Sequence, residues 1–265
     1  MRKGYKKLLV ILLTAAVLLA GYFLFFWKKL ASEPPKPTAQ NNQIAQNQKG
    51  EAKNSETENQ TEEKKTEPAE EKPAPNIPEK FLLEIPFYSQ TPLSKWDAFH
   101  EEMCEEASVL NAGLYLAGKK LTKEEFEAEL QKMQKTEKKE IGEWKSTTIT
   151  QIKKLVDVYF DGAIKSKIVD NPSIEDIETE ISAGNPVIIP LSGRDIGNPN
   201  FTPPGPVYHM LVIKGYDSQN FITNDVGTRK GNSYVYKKEV LMKNMHDWNK
   251  KNIHAGGKRI LVLTK

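Results

Sequence analysis

The 265-residue sequence holds a single cysteine, Cys104. That excludes an internal disulfide framework and a zinc site built from several thiolates. The chain also lacks an excess of either charge. Its 38 Lys and Arg face 35 Asp and Glu, for a formal net charge of +3. Such a balance gives no electrostatic footprint for a nucleic-acid partner. Only 38% of the residues are hydrophobic, which is low for one globule of this length. The average conceals three unlike parts, and no internal repeat organises them.

The first part is an apolar run. Residues 8–27, LLVILLTAAVLLAGYFLFFW, carry no charge. At about 1.5 Å per residue, a helix of this length spans roughly 30 Å, the thickness of bilayer hydrocarbon. Tyr22 and Trp27 fall where interfacial aromatics sit. A cleaved signal peptide has a shorter apolar region, about 7–15 residues. Leu18 also spoils the cleavage context at Ala20. The sequence therefore predicts an uncleaved transmembrane anchor at 8–27. The flank 1–7 contributes Arg2, Lys3, Lys6 and Lys7, against Lys28 and Lys29 on the far side. The larger basic cluster is expected in the cytoplasm. The expected protein is then single-pass in the cell membrane, with its C-terminal part extracytoplasmic.

Residues 28–78 form the second part. From residue 31 onward the stretch has no aromatic residue, and Ile44 and Ile77 are its only large aliphatics. It has too little apolar surface to offset chain entropy, so a disordered polar linker is expected. Its mean reach as a coil is on the order of 40 Å.

Residues 79–265 are the candidate globular domain. Twelve basic and nine acidic residues precede it, leaving 26 of each within it and no net charge. FLLEIPFYSQ (81–90) predicts a strand, with Pro86 marking an edge. Residues 104–117 predict a helix ending near Gly118. Thr122 and Glu125 form a capping box ahead of an apolar face at Phe126, Leu130 and Met133. Residues 147–160 predict a third helix. Ser173 caps a fourth, with Ile174, Ile177 and Ile181 on one face and Gly184 at its end. Strands are then expected at 186–191, 207–216, 220–225, 233–237 and 260–264. Helices come mostly before strands, which predicts an α+β domain.

Chemistry concentrates on Gln90, Cys104, His209 and Asp225, in that chain order. Cys104 opens the helix CEEASVLNAGLYL, where unpaired backbone N–H groups and the helix dipole favour a thiolate. His209 lies in an apolar strand, and Asp225 ends the strand after it. If the two strands form a hairpin, the carboxylate can hold the imidazole in one tautomer. Each residue taken alone also has an ordinary reading. A free cysteine is commonly a small buried hydrophobe, and aspartate is a common turn residue.

Four segments carry a resemblance when taken together: IPFYSQ (85–90), CEEASVLNA (104–112), YHMLVIKGYD (208–217) and FITNDVG (221–227). In this order they resemble the papain-like bacteriocin-processing cysteine peptidase family, family C-39, in its stand-alone C-39-like branch. The resemblance covers residues 82–265. It implies a papain-like fold and a peptide or protein substrate, without a metal or organic cofactor. It implies Cys104 as nucleophile, His209 as base and then acid, Asp225 as the residue orienting the imidazole, and Gln90 as oxyanion donor. The chain departs from many members in reading Cys104-Glu105-Glu106 where they have Cys-Gly-Pro. It also reads Asp225-Val226 where they have Asp-Pro.

The loop 192–206 is long for a plain connection and is expected to border the cleft, with Arg194 a candidate substrate contact. Trp96 is a second candidate, as cleft wall. His100 is expected in a polar loop, outside the chemistry. GTRKGN (227–232) lacks the strand–loop–helix context of a phosphate cradle. Two rival functions stand beside the peptidase. One is a non-catalytic peptide- or envelope-binding module of the same fold. The other is a papain-like cell-wall amidase or endopeptidase.

Overall fold

The computed structural model describes residues 77–265. The expected flank 1–7, the anchor 8–27 and nearly all of the linker 28–78 lie outside the described residues. Among the described residues, no helix is long and apolar enough to cross a membrane.

The elements run β1 (Phe81–Leu82), a 3-10 turn (His100–Glu102), α1 (Cys104–Ala117), α2 (Lys123–Glu140), α3 (Ile149–Tyr159), β2 (Lys165–Asp170) and α4 (Ile174–Ser182). They continue with β3 (Val187–Ser192), β4 (Tyr208–Tyr216), β5 (Asn220–Asn224), β6 (Tyr234–Lys237), α5 (Lys238–Asn244), a second 3-10 turn (Ile253–Ala255) and β7 (Arg259–Thr264). The fold is mixed α+β. One antiparallel sheet runs in the order β2-β7-β3-β4-β5-β6, with β1 also paired to β4.

Local sequence explains the helix starts. Thr122, Thr148 and Ser173 each cap a helix through a complete capping box, with Glu125, Gln151 and Asp176 reaching back. Each box satisfies two backbone donors that would otherwise be orphaned. The apolar faces then bury as spaced: Phe126, Leu130 and Met133 from α2, Ile149, Ile152, Leu155 and Val156 from α3, and Ile177 and Ile181 from α4. β3 and β4 are buried along their whole lengths. Burial of that kind is why they read as near-continuous apolar runs without alternation. α1 packs across β4, β3 and β7, and this places its N-terminus against the middle of the sheet.

The structure departs from the sequence reading in three places: one expected strand is cut back, and two elements are not anticipated. Of the strand predicted over 81–90, only Phe81 and Leu82 pair in the sheet. Pro86 has no N–H to give a ladder. Side chains and isolated backbone bonds take over instead, the Leu83 N–H donating to the Lys214 carbonyl at 2.7 Å. The Asn111 amide exchanges two hydrogen bonds with the Tyr88 backbone, at 2.8 and 2.9 Å. Asn224 Nδ2 donates to the Pro86 carbonyl at 2.9 Å. The Gln90 N–H donates to the Val226 carbonyl at 2.9 Å. The second departure is β2, which lies at the sheet edge and pairs with β7. Its sequence KSKIVD mixes charge with apolar residues and gives no clean period. The third is α5, whose seven residues are too few to show a helical stripe.

Candidate active site

Cys104 is the first residue of α1. The chain enters the helix from the 3-10 turn through Met103, whose N–H donates to the His100 carbonyl at 3.3 Å. His209 projects from β4, which packs against α1. The β4–β5 register pairs Val212 with Asn224, so Asp225 follows directly beyond the end of β5. His209 Nε2 and Asp225 Oδ1 lie 2.8 Å apart.

Asp225 is fully buried. Besides His209 it accepts hydrogen bonds from the Tyr236 hydroxyl at 2.6 Å, Asn198 Nδ2 at 2.8 Å and the Gly227 N–H at 3.1 Å. Burial opposes its charge, but His209, Tyr236 and Asn198 outweigh burial and hold the carboxyl below its usual pKa. An ionised carboxylate only accepts, so Nε2 of His209 carries a proton. Nδ1 is then the basic nitrogen of the neutral ring.

Two glycines of the 227–232 loop make this packing possible. A Cβ on Gly227 would sit 2.8 Å from His209 Cε1. One on Gly231 would sit 1.7 Å from the Asp225 carbonyl oxygen. The loop therefore serves as a close support for the His–Asp pair.

Gln90 is buried, and its Nε2 donates to the His100 carbonyl at 2.7 Å. That bond orients the amide, and Nε2 makes a second, longer bond to the Glu101 carbonyl at 3.4 Å, the weaker contact that an oxygen in the cleft would have to replace. The cleft holds about 1140 Å³, and its walls include Gln90, Trp96, Cys104, Arg194, His209 and Trp248. The loop 192–206 borders it as expected, and Phe201 from that loop packs edge-on against the His209 ring at 5.3 Å. Arg194 Nε donates to the Gly205 carbonyl at 3.1 Å, so the same side chain that lines the cleft also braces the loop. Trp96 is 52% exposed and offers a free aromatic surface. The structure thus brings Gln90, Cys104 and His209 onto one cleft, with Asp225 behind His209. Arg194 and Trp96 lie on its walls.

Two sequence expectations change here. The helix N-terminus does not make Cys104 a resting thiolate. The side chain is buried, and Sγ lies 3.0 Å from Glu105 Oε2. Burial, followed by the Glu105 carboxyl, pushes the thiol well above its ordinary pKa, against an opposing hydrogen bond from the Met210 backbone. Burial and the adjacent carboxyl thus favour the protonated thiol over the thiolate. His100 likewise is not in a solvated loop. It is buried, with Nδ1 2.7 Å from Asp97 Oδ1 and Nε2 2.9 Å from Glu127 Oε2. Burial opposes its charge, yet Glu127 and Asp97 outweigh burial and raise its pKa. The ion-paired ring anchors the turn whose carbonyl orients Gln90.

Sequence reasoning missed a carboxyl cluster beneath Cys104. Glu105, Glu106 and Glu137 are all buried. Glu105 Oε1 accepts the Thr147 N–H at 3.1 Å. Burial, with Glu137 nearby, raises the Glu105 carboxyl to about 7. Burial and Glu137 also raise Glu106, and burial raises Glu137. Glutamates in a first helical turn usually face solvent and complement the dipole. Nothing in the sequence signals that α1 is buried nearly all round.

The family model for the Peptidase_C39 like family matches residues 82–253. No curated protein matches the chain. Among solved structures, the chain is similar to a Bacillus anthracis protein described as C39-like, with 18% identity over 71% of this chain and 98% of that one, and a TM-score of 0.48. The family match spans well over half of the chain and takes in Gln90, Cys104, His209 and Asp225, so the chain belongs to the Peptidase_C39 like family.

Proposed function

We propose that the protein is a papain-like cysteine peptidase, anchored in the membrane by residues 8–27, whose domain 79–265 works outside the cytoplasm. One observation carries the catalytic reading. A cysteine at a helix start and a carboxylate-held histidine on the adjacent strand open onto one cleft. The apolar run with its basic flank supports the anchor and its orientation.

The chemistry follows from the geometry. His209 Nδ1 takes the Cys104 proton, and the thiolate attacks the scissile carbonyl. The tetrahedral oxyanion receives hydrogen bonds from Gln90 Nε2 and the Cys104 backbone N–H. Asp225 stabilises the imidazolium. His209 then protonates the leaving amine, and water hydrolyses the thioester. No step calls on a metal or an organic cofactor.

The test uses the full-length chain and a mixed-sequence peptide pool read by mass spectrometry. Cleavage is expected from the native protein and is expected to disappear in Cys104→Ala. It should fall by about 10²–10⁴ in His209→Ala, the usual worth of a positioned acid–base group. It should fall by about 10²–10³ in Gln90→Ala, as for loss of one oxyanion donor. Cleavage that survives Cys104→Ala would sink this reading. Native protein that binds peptides and leaves them intact would establish the binding-module alternative. Release of wall fragments with peptides untouched would establish the amidase alternative.

A further inference from the structure

Glu105 stands closer to the nucleophile than any role in the mechanism above requires. Its Oε2 lies 3.0 Å from Cys104 Sγ, and its Oε1 is fixed by the Thr147 N–H at 3.1 Å. The carboxyl is 2% exposed, and the sulfur beside it is also buried. Two groups at this distance in a dry site share protons. With Glu105 ionised, the thiol donates to the carboxylate, and the pair holds one proton and one negative charge. Removing the thiol proton from that state would place two negative charges about 3 Å apart, with little solvent to screen them. With Glu105 protonated, its O–H can donate to the sulfur. The thiolate formed when His209 takes the proton then has a hydrogen-bond donor in place of a like charge.

We propose that Glu105 is a positioning residue for the nucleophile: ionised, it retains the Cys104 thiol proton and opposes activation; protonated, it donates to the thiolate and permits activation. The proposal rests on the reading of Cys104 as the nucleophile. In the permitted step the S–H bond breaks, its electron pair stays on sulfur, and the proton moves to His209 Nδ1. The Glu105 proton remains on its carboxyl.

The surroundings set where this switch operates. Glu106 of α1 and Glu137 of α2 add negative charge when ionised. From β4 come the Tyr208 hydroxyl, acted on by both Glu105 and Cys104, and His209 in the same cleft. Asp247 accepts from Tyr208 at 3.4 Å and faces Arg259 at 3.7 Å. Acids dominate this list, and burial with Glu137 raises Glu105 to about 7. The change from permitted to opposed is therefore expected near neutrality, with activation permitted on the acidic side.

The experiment measures iodoacetamide labelling of Cys104 in the full-length chain against pH, for native protein and Glu105→Gln. Because the chain has one cysteine, the label reports this thiol alone. The amide of Glu105→Gln keeps an acceptor for Thr147 and a donor for sulfur, and cannot ionise. The two proteins should label at equal rates below about pH 6, where Glu105 is protonated. By about pH 8 the variant should label about tenfold faster or more, a shift of at least one pKa unit. A parallel rise at every pH would indicate mere loosening of the site, and coincident profiles would show no coupling; either overturns the proposal. The native protein supplies a second readout that needs no variant. The infrared S–H stretch of its single thiol should change frequency as pH passes through about 7, together with a titrating carboxyl band. A fixed S–H frequency across that range would also overturn it. Labelling does not depend on turnover. Failure of peptide cleavage and failure of the Cys104–Glu105 coupling are thus separate results.

Discussion

Asp225 accepts four hydrogen bonds, two on each carboxylate oxygen, all in a site without solvent. Asp225→Asn puts a donor where only acceptors fit. If the amide N–H₂ faces Tyr236 and Asn198, it meets the donating Asn198 amide and the bond from the Tyr236 hydroxyl is lost or reversed. If it faces His209, Nε2 must accept, Nδ1 becomes protonated, and the ring can no longer take the Cys104 proton. We expect kcat to fall by about 10²–10⁴ with KM changed much less, measured by steady-state peptide hydrolysis. A loss confined to KM would contradict this assignment. Gly227→Ala should act on the same pair from the other side. Its new Cβ would meet His209 Cε1 at 2.8 Å and push the ring off its Asp225 partner, so activity should drop while circular dichroism stays native. Legibility at this scale was uneven. Cys104, His209, Asp225 and Gln90 sit in short motifs that keep their chain order, and the structure draws them together. Asn198 and Tyr236 complete the Asp225 site from a loop and from β6, 27 and 11 residues away, with no spacing to betray them. Glu105 was visible as a departure from Cys-Gly-Pro, but its burial against sulfur was not.

The packing of α1 against α2 has a consequence for stability. Glu106 and Glu137 are buried together, and with both ionised no group among the described residues donates between them; a proton on Glu106 lets the two carboxyls bond each other, with the Thr147 hydroxyl beside Glu137. Burial raises both above the ordinary carboxyl value of 4.5, as it raises Glu105 to about 7. A carboxyl whose pKa rises on folding binds protons more tightly in the folded state. Its contribution is complete below its unfolded value and is lost as pH climbs through the folded one. His100 works in the same direction: its pKa is raised from 6.5, so its ion pairs stabilise below that value and fade above it. Asp225 works oppositely, since its lowered pKa gives stability that is lost as pH falls below 3.8. The melting temperature should therefore peak in mildly acidic solution and decline toward pH 8. Glu137→Gln should flatten that decline and raise the pH 8 melting temperature above native, because its amide can donate to the Glu106 carboxylate. An unchanged pH profile in calorimetry would show that the pair carries no such cost. The elements themselves were largely readable. Capping boxes and apolar spacing located α2 and α4, and continuous apolar runs located β3 and β4. What failed was governed by tertiary pairing. The 83–90 segment is held by Asn111 and Asn224 instead of a ladder, and β2 takes its strand character from β7.

At the scale of the whole chain, charge and hydrophobicity are partitioned by segment. The domain from residue 79 onward has equal numbers of acidic and basic side chains, so it has no net attraction to an anionic bilayer. The proposed membrane association is therefore assigned to residues 8–27 and their basic flank. A peripheral interaction of the flank alone would be electrostatic and would dissolve in high salt, because screening shortens its range to about 3 Å at 1 M. A spanning helix would not. We expect the full-length chain to stay with the membrane pellet through high-salt and alkaline washes, and a chain lacking residues 1–30 to move to the soluble fraction with its peptide cleavage intact. Mass measurement of the membrane-bound form should still include residues 1–27, since Leu18 disfavours cleavage at Ala20. The proposed orientation rests on four basic residues before residues 8–27 against two after them. Protease added outside intact cells should therefore remove the domain and spare a small N-terminal fragment. Protection of the domain until the cells are opened would reverse the predicted orientation, and with it the proposal that the peptidase meets its substrate outside the cytoplasm.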